Sequence, residues 1–509
     1  MRNIFRRENM KREHLLISES VSEGHPDKMA DQISDAVLDV FLANDMLARV
    51  ACETLITKGL VVVAGEIASY CHPSIPEIVR WTIKNIGYTD PAYGFDYQTC
   101  GIITPIGNQS PELSNAIKPE DGEICAGDQV TVFGYATNET PELMPLGIML
   151  AHGLVRKQAE LRKNKKLDWL RPDAKSQVTV RYVGEQTVSV EKVVFSTQHS
   201  PDISHGELEE AVISKIIEEV IPEELRAPHI QYLVNPGGSF TIGGPNADTG
   251  LTGRKIMVDT YGPSCPHGGG AFSGKDPTKL DRSGAYMARY IAKNIVAAGL
   301  AERCTVQLSY AIGKVDPVYF TLNLHDTGKV DEQKLVEAVR QIFKLTPQGI
   351  ISMLDLCYAM YRKTAAYGHF GRELPEFTWE VTDQVGKLRD YFGIPQDVPR
   401  NGNANLRVET SAEKYYRSSR DYKELRQFDT DRDKFLVSKI LAHSNSSFEI
   451  DFKKFLKSKY TQNRVILLDS FVSHVAAQHC IIPPIKQTIE GEHEFSAPAS
   501  TKACLQLLK

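Results

Sequence analysis

The stretch Gly268-Gly-Gly-Ala-Phe-Ser-Gly-Lys-Asp276 is the most informative segment of this chain. Three consecutive glycines allow the backbone to approach a ligand closely, because no Cβ atom stands in the way. Lys275 and Lys279 add point charges that suit phosphate oxygens. Asp276 and Asp281 add carboxylates, which a purely structural glycine turn does not need. The segment therefore predicts a phosphate-binding loop.

Two familiar motifs nearly match this loop, and the sequence argues against both. Gly269 to Lys275 has the spacing of a P-loop, but Asp276 stands where that motif needs Ser or Thr for Mg²⁺. The preceding Tyr261-Gly-Pro-Ser-Cys-Pro is also not the pattern of a buried strand. His267 followed by three glycines is similar to a lipase oxyanion loop, but the chain lacks the G-x-S-x-G elbow of that class.

The sequence around the loop alternates between helical and strand patterns. Pro26–Asn44 predicts a helix, because apolar residues recur every four positions and proline suits a first helical turn. Arg49–Thr57 and Leu60–Ala68 predict two strands joined by a Lys-Gly turn. The remaining elements predicted are helices at 76–86, 277–299 and 331–343 and strands at 305–312 and 318–324. This mixture indicates α+β units that repeat in structure rather than in sequence identity.

Length and composition narrow the class of protein. The 509 residues suggest three to four units at about 150 residues each. The chain is 42% hydrophobic and 24% charged, which excludes a collagen, a low-complexity polymer and a largely disordered protein. A net charge of −5 does not favour nucleic-acid binding, which needs a basic excess. No apolar run reaches the roughly 18 residues of a membrane helix, so we expect no membrane partner.

The cysteines and the N-terminus indicate a cytoplasmic protein. Nine cysteines are scattered without a C-x-x-C pair, which argues against a disulfide framework and against a zinc site. Reduced thiols are typical of the cytoplasm. The basic start of the chain contains no serine before Ser18, whereas transit peptides are serine-rich. We therefore interpret residues 1–13 as a solvated N-terminal extension.

The charge balance and the residue pattern of the sequence change near residue 395. Residues 396–509 contain 18 Lys and Arg against 14 Asp and Glu, whereas residues 1–395 contain 41 against 50. A capping-box pattern begins at Ser446, and Phe448, Phe452 and Phe455 then fall on one helical face. We predict a helical C-terminal extension of unknown role at 396–509. It is either an inert extension or an interaction module.

Four further segments carry charged residues beside glycine or proline. Each of them alone is a weak signal, because a polar turn or a surface ion pair would look the same. The segments are Ser18-Glu-Ser-Val-Ser-Glu-Gly-His-Pro-Asp-Lys28, Ala126-Gly-Asp-Gln129, Arg171-Pro-Asp-Ala-Lys-Ser-Gln177 and Gly243-Gly-Pro-Asn-Ala-Asp-Thr-Gly-Leu-Thr-Gly-Arg-Lys255.

Taken in this order, the segments resemble the S-adenosylmethionine synthetase family, also called the methionine adenosyltransferases. The resemblance covers about residues 14–392, and the glycine loop and Gly253-Arg-Lys-Ile are specific to that family. One departure is Cys125-Ala-Gly-Asp-Gln-Val130, where the family usually has glycine at both ends; Asp128 itself is kept. The resemblance implies three similar α+β domains around a pseudo-threefold. We place them at 14–115, 116–243 and 244–395.

The resemblance also implies a reaction, cofactors and an assembly. The family makes S-adenosylmethionine from ATP and L-methionine: the sulfur attacks C5′, and the expelled triphosphate is cleaved to pyrophosphate and phosphate. It uses two Mg²⁺ ions and K⁺ at each site. It forms a homodimer whose subunits join by flat sheets and share active sites, and we expect a homotetramer here. The segment 110–123 resembles the mobile gate loop of the family.

Functional residues follow from the resemblance by position in each motif. The catalytic residues would be His25, Lys175, Arg254 and Lys275. ATP would be bound by His25, Asp173, Lys175, Ser239, Phe240, Asp248, Arg254, Lys255, Ala271 and Lys275, with Phe240 stacked on adenine beside Ile312. Methionine would meet Glu66, Gln109, Asp128, Asp248 and Lys279. Asp27 and Asp281 would hold Mg²⁺, and Glu53 would hold K⁺.

Two other functions remain open from the sequence. An ATP-dependent kinase or ligase would share phosphate loops and Mg²⁺ ligands. A non-catalytic paralog would serve as a scaffold and would be expected to lose site charges, yet the charges named above are all present. Product analysis separates these alternatives, because only the synthetase yields a sulfonium compound together with both phosphates.

Overall fold

The computed structural model describes residues 13–108 and 123–395. The strands are β1 Glu13–Val21, β2 Arg49–Thr57, β3 Leu60–Ala68, β4 Gly101–Ile103, β5 Ile106–Gly107, β6 Val130–Thr137, β7 Leu170–Val183, β8 Gln186–His199, β9 Arg226–Val234, β10 Gly250–Leu251, β11 Arg303–Tyr310 and β12 Tyr319–Asn323. The α-helices are α1 Pro26–Asn44, α2 Ile75–Ile86, α3 Leu146–Lys163, α4 His205–Val212, α5 Glu218–Val220, α6 Ile256–Asp259, α7 Leu280–Ala297, α8 Glu332–Ile342, α9 Pro347–Leu354 and α10 Val385–Tyr391. The predicted α+β class is confirmed.

Most predicted elements are present with similar bounds. The helix Pro26–Asn44 and the strands Arg49–Thr57 and Leu60–Ala68 are confirmed at both ends. The helix predicted at 277–299 is shorter, because it begins only at Leu280. The side chain of Asp276 accepts hydrogen bonds from the backbone N–H and the hydroxyl of Thr278 and so keeps this stretch in a turn. The helices predicted after residue 395 lie outside the described residues.

Helix α1 is the central element of the fold. His25 caps it by accepting a hydrogen bond from the backbone N–H of Asp27, and Pro26 occupies the first turn. Every residue from Pro26 to Asn44 is buried, so the helix has no solvent-facing side. It packs against β2 and α2, and Ile33 and Val37 belong to the largest apolar core.

The described strands form three sheets, and the second of them packs on α1 through β2 and β10. One has the strand order β1-β7-β8-β9, the second has the order β10-β2-β3-β4 with β5 also on β3, and the third has the order β12-β11-β6. Each sheet contains strands from distant parts of the chain, since β1 joins β7, β10 joins β2 and β6 joins β11. These pairings cross the predicted boundaries at 115 and 243, and the boundaries themselves stay a prediction. The crossings bring the charged segments of the sequence together.

A second apolar core lies under α3, β7 and β8, where Leu154, Val180 and Phe195 pack together. No helix in the described ranges is both long and apolar enough to cross a lipid bilayer. The cysteines of the same ranges are free thiols, as their spacing predicts.

Candidate active site

The first contact of the site joins the end of β1 to β7. The hydroxyl of Ser22 donates a hydrogen bond to the carbonyl oxygen of Pro172 at 2.7 Å. A Cβ atom on Gly24 would lie 2.3 Å from the same oxygen, so this close approach requires glycine. The contact brings His25 and Lys175 near each other, although their segments are far apart in sequence.

His25 is a buried, neutral side chain in this arrangement. Burial, reinforced by the positive charges of Lys255 and Lys175, lowers the pKa of its imidazole to about 3. Its Nδ1 accepts a hydrogen bond from the backbone N–H of Asp27 at 3.2 Å. The proton of the neutral ring therefore sits on Nε2, which is left to donate a hydrogen bond.

The carboxylate of Asp27 lies near two cations, Arg254 and Lys255, at the end of the glycine-rich segment 243–255. Nζ of Lys255 is 2.5 Å from its Oδ2, and Nη1 of Arg254 is 3.9 Å from its Oδ1. The backbone N–H of Leu251 donates to Oδ1 at 2.9 Å. Burial alone would raise the pKa of this carboxyl, but the bonds from Lys255 and Leu251 outweigh burial and hold the pKa below its ordinary value. Asp27 is thus a carboxylate at neutral pH.

The glycine-rich loop runs along the edge of β2. The backbone N–H of Cys52 donates to the carbonyl oxygen of Gly274 at 3.0 Å, and Lys275 forms a bridge with Ala51. At the end of the loop, Nζ of Lys275 lies 2.8 Å from Oδ2 of Asp281. The loop therefore presents one lysine and one carboxylate side by side, which repeats the arrangement of Lys255 and Asp27.

Lys279 is held by a buried carboxylate. Its ammonium donates a hydrogen bond to Oδ2 of Asp276, and the backbone N–H of Val50 donates to the same oxygen at 2.7 Å. Burial would raise the pKa of Asp276, but the charges of Lys279 and Arg49 lower it more strongly. The ammonium of Lys279 is thereby fixed relative to β2.

Asp173 supplies a partly unsatisfied carboxyl group. Its Oδ2 accepts a hydrogen bond from the backbone N–H of Gly244 at 2.9 Å. Its buried Oδ1 has no hydrogen-bond partner within the described ranges. Burial raises the pKa of this carboxyl to about 6, and the charge of Asp248 adds to the increase. Such an oxygen is suited to accept a hydrogen bond from a ligand hydroxyl or amino group.

The predicted adenine-stacking residue, Phe240, lies close to Gly243, and the next residue, Gly244, binds Asp173. A Cβ atom on Gly243 would lie 3.0 Å from Cε2 of Phe240, so the ring covers the glycine directly. The backbone N–H of Phe240 donates to Nε2 of His199 at 3.0 Å, which fixes the backbone at this residue. Ser239 precedes it and is exposed. Ile312, the predicted neighbour of the adenine, is also exposed.

The predicted methionine and potassium residues lie less close together. Glu66 is exposed on β3 opposite Ala51, which places it one strand away from the glycine-rich loop. Glu53 is exposed on β2 next to the point where the loop joins this strand. Asp128 is exposed and accepts a hydrogen bond from the backbone N–H of Gln129 at 2.7 Å. Gln109 lies outside the described residues.

Two groups of predicted residues are therefore assembled by direct contacts. The first contains His25, Asp27, Arg254 and Lys255, with Lys175 and Asp173 beside it; the second contains Lys275, Asp281 and Lys279. Ala271 links them, because a Cβ atom on Gly253 would lie 2.4 Å from the Ala271 side chain. Among the described residues, no hydrogen bond or ion pair joins Glu66 or Asp128 to either group.

The donor set suits magnesium bound together with a polyphosphate. Across residues 13–108 and 123–395, no three His, Cys, Asp or Glu side chains gather closely enough to hold a metal ion by themselves. Mg²⁺ is usually bound by one or two carboxylates, with substrate phosphates and water completing its shell. Asp27 and Asp281 each offer one ionic oxygen-donor group beside a lysine, which fits that mode of binding.

Three buried aspartates of α1 were missed in the sequence. Asp31, Asp35 and Asp39 follow Asp27 at intervals of one helical turn, and each accepts a hydrogen bond from a loop of the segment 244–395. The signal available was this spacing of four, which equals the spacing of the apolar repeat but lies on a different face of the same helix. A polar stripe on a helix normally faces solvent, so this spacing by itself does not indicate burial.

Comparison with known proteins agrees with the geometry. Family models for the S-adenosylmethionine synthetase N-terminal, central and C-terminal domains match residues 13–111, 123–240 and 242–381. The chain is 56% identical over 385 residues to an S-adenosylmethionine synthase of Wolinella succinogenes and 56% identical over 385 residues to one of Helicobacter hepaticus. It is 57% identical over 385 residues to one from a Nitratiruptor species. Each match spans 76% of this chain and the full length of the relative.

The matched ranges contain both contact groups of the site, in the order in which the resemblance placed them. Agreement at this level over the entire length of several relatives does not arise from a shared loop or a shared fold alone. The chain belongs to the S-adenosylmethionine synthetase family.

Proposed function

We propose that this methionine adenosyltransferase joins L-methionine to the adenosyl group of ATP and then cleaves the expelled triphosphate to pyrophosphate and phosphate. The observation that carries the proposal is the repeated pairing of a carboxylate with a lysine, Asp27 with Lys255 and Asp281 with Lys275. A site with this alternation can bind a polyphosphate through its lysines and the accompanying cations through its carboxylates.

In this reaction the leaving group, rather than the nucleophile, needs stabilisation by the protein. The thioether sulfur of methionine is neutral and needs no base, whereas the departing triphosphate carries a large negative charge. Preorganised cations aimed at that charge lower the barrier most effectively. Lys175 and Lys255 both lie close enough to His25 to lower the pKa of its ring, so they surround the position from which His25 would act.

His25 would assist departure of the C5′ oxygen by hydrogen bonding. Its pKa of about 3 makes it a poor proton carrier at neutral pH, but the Nε2–H of the neutral ring is a good donor. Asp27 and Asp281 would hold Mg²⁺, which supplies charge neutralisation at the phosphate oxygens when bound. The role of His25 is therefore to orient and stabilise rather than to transfer a proton.

The remaining assignments extend the same proposal. Glu66, Gln109, Asp128, Asp248 and Lys279 would meet methionine, and Glu53 would hold K⁺. A homodimer with shared active sites, assembled into a tetramer, is part of the same proposal. The cytoplasmic location suggested by the cysteine pattern stays a prediction.

Product analysis of the purified protein tests the function. Incubation with ATP, L-methionine, Mg²⁺ and K⁺ should yield S-adenosylmethionine, pyrophosphate and phosphate in equal amounts. Omission of methionine should abolish sulfonium formation. Release of ADP or AMP without a sulfonium product would instead identify a kinase or ligase, and absence of any turnover would identify a non-catalytic paralog. Release of intact triphosphate would contradict the cleavage step alone.

A further inference from the structure

Helix α1 carries a buried row of four aspartates, each one helical turn after the last. Asp27, Asp31, Asp35 and Asp39 are 2%, 0%, 0% and 1% exposed. Each accepts a hydrogen bond from backbone N–H groups of the segment 244–395: Leu251 bonds Asp27 at 2.9 Å, Gly253 bonds Asp31 at 2.8 Å, Gly274 bonds Asp35 at 2.8 Å, and Tyr361 and Arg362 each bond Asp39 at 2.8 Å.

A row of this kind fixes the spacing of the loops that bind it. Residues four apart on an α-helix are separated by about 6 Å along its axis, and the geometry of an intact helix fixes that distance. Burying a carboxylate is costly unless it is hydrogen-bonded, so the loops are held to the helix firmly. Asp27 is already assigned to the site. The other three aspartates have no part in the chemistry described above.

Asp31 lies behind the cations of the first contact group. Its Oδ1 accepts the N–H of Gly253, and its Oδ2 accepts a hydrogen bond from Nζ of Lys28 at 2.9 Å. Gly253 has a φ of +78°, a conformation that other residues rarely adopt. Arg254 and Lys255 follow directly, so the position of the Gly253 nitrogen sets where both cations begin.

Asp35 is related to the second contact group as Asp31 is to the first. Its Oδ1 accepts the N–H of Gly274, and both of its oxygens pair with the guanidinium of Arg282 at 2.7 and 2.8 Å. Gly274 has a φ of +80°, and a Cβ atom there would lie 1.8 Å from the carbonyl oxygen of Cys52. Lys275 is the next residue. Asp35 therefore determines the backbone position from which the side chain of Lys275 extends.

We propose that Asp31 and Asp35 are positioning residues of the active site: Asp31 sets Arg254 and Lys255, and Asp35 sets Lys275. Through α1 the two cationic segments are held at a fixed spacing from each other. This inference rests on the proposed function and adds residues that act through the backbone, without touching substrate.

Asp39 provides a matched internal control. It is buried on the same helix and accepts two backbone hydrogen bonds, but its partners Tyr361 and Arg362 precede no residue assigned to the site. Its removal should lower stability in the same way as removal of Asp31. It should not move a cation of the active site.

The test compares Asp31→Ala, Asp31→Asn and Asp39→Ala in the full-length chain. Binding of inorganic tripolyphosphate with Mg²⁺, measured by titration calorimetry, reports on the cations without any turnover. Turnover with ATP and methionine is measured in parallel. We expect Asp31→Ala to weaken tripolyphosphate binding and lower kcat by about 10- to 100-fold, as for other displaced groups. Asp31→Asn keeps an oxygen for the Gly253 N–H and should recover most of both.

Asp39→Ala should match Asp31→Ala in thermal stability and retain wild-type tripolyphosphate affinity and kcat. Equal losses in the two alanine variants, or wild-type affinity in Asp31→Ala, would overturn the proposal. Should Asp31→Ala not fold, Asp31→Ser decides, because its hydroxyl stays polar but is too short to hold Gly253. A wild-type protein that binds tripolyphosphate without forming a sulfonium product would refute the proposed function while leaving the binding comparison valid.

Discussion

The ammonium of Lys255 lies 2.5 Å from Oδ2 of Asp27, although the two residues are 228 positions apart in the chain. The pair joins a proposed phosphate ligand to a proposed metal ligand, and Lys275 and Asp281 do the same at 2.8 Å. Each charge is therefore compensated within the protein. Binding of a polyphosphate with its cations would exchange each partner for another of the same sign, which avoids leaving a buried charge alone.

Replacement of Asp27 should alter the magnesium requirement. Asp27→Asn removes the charge of a proposed Mg²⁺ ligand, so a higher Mg²⁺ concentration should be needed for half-maximal turnover. The measurement is a Mg²⁺ titration of kcat at saturating substrates, with Asp39→Asn as the control on the same helix. An unchanged titration curve would argue against metal ligation by Asp27.

Lys175 should be needed for turnover rather than for folding. Its side chain is exposed on β7, and its charge acts on His25. Lys175→Met should lower kcat by about 10²- to 10³-fold, as for loss of a preorganised charge at a developing anion. Lys334→Met, an exposed lysine on α8, serves as the control. Retention of more than a third of wild-type kcat would show that the assigned role is wrong.

Glu66 should affect methionine more than ATP. Loss of a charge-assisted bond to the ammonium of methionine is worth about 1.5–3 kcal/mol, or roughly a 10- to 150-fold rise in KM. A purely structural alternative is that Glu66 pairs with Thr54 across the hairpin. The register instead places Glu66 opposite Ala51 and Thr54 opposite Val63. The measurement is the KM for methionine and for ATP in Glu66→Ala and in the exposed control Glu337→Ala. Equal changes in both KM values would contradict methionine binding.

His152 should make folding stability sensitive to acid. Burial and the charges of Arg372 and Lys28 lower the pKa of its ring to about 3. The folded protein therefore binds fewer protons than the unfolded chain below about pH 6.5, and stability present above that pH is lost as the pH falls towards 3. At pH 5 the loss from one such histidine is about 2 kcal/mol.

The measurement is the free energy of unfolding in urea at pH 7 and pH 5. His152→Gln should show a smaller difference between the two values than the wild-type protein, because it does not titrate. His205→Gln changes an exposed histidine and should behave as the wild type does. An identical pH dependence in His152→Gln would contradict the assigned pKa.

Residues 396–509 should be dispensable for turnover. The relatives align over their full length with only 76% of this chain, and each assigned site residue precedes residue 396. A chain that ends at residue 395 should keep near wild-type kcat, measured with both substrates saturating. A truncated protein that is folded by circular dichroism but inactive would show that the extension completes or gates the site.

Local signals explain which features could be predicted. The bounds of α1 follow from its proline, its capping histidine and its apolar repeat, which all act within a few residues. The phosphate-binding character of the glycine-rich loop likewise follows from adjacent glycines and lysines. The start of α7 was placed too early, because Asp276 binds Thr278, Lys279 and Val50 and so holds the stretch in a turn.

The sequence by itself determined the family, the α+β class and the segments that carry the charged residues, because each depends on residues that are neighbours in the chain. Only the tertiary structure decided that Lys255 pairs with Asp27 and that Asp35 lies behind Lys275. It also decided that the aspartates of α1 face loops rather than solvent. A helical repeat reports which residues share a face, but what covers that face depends on how distant loops fold over it.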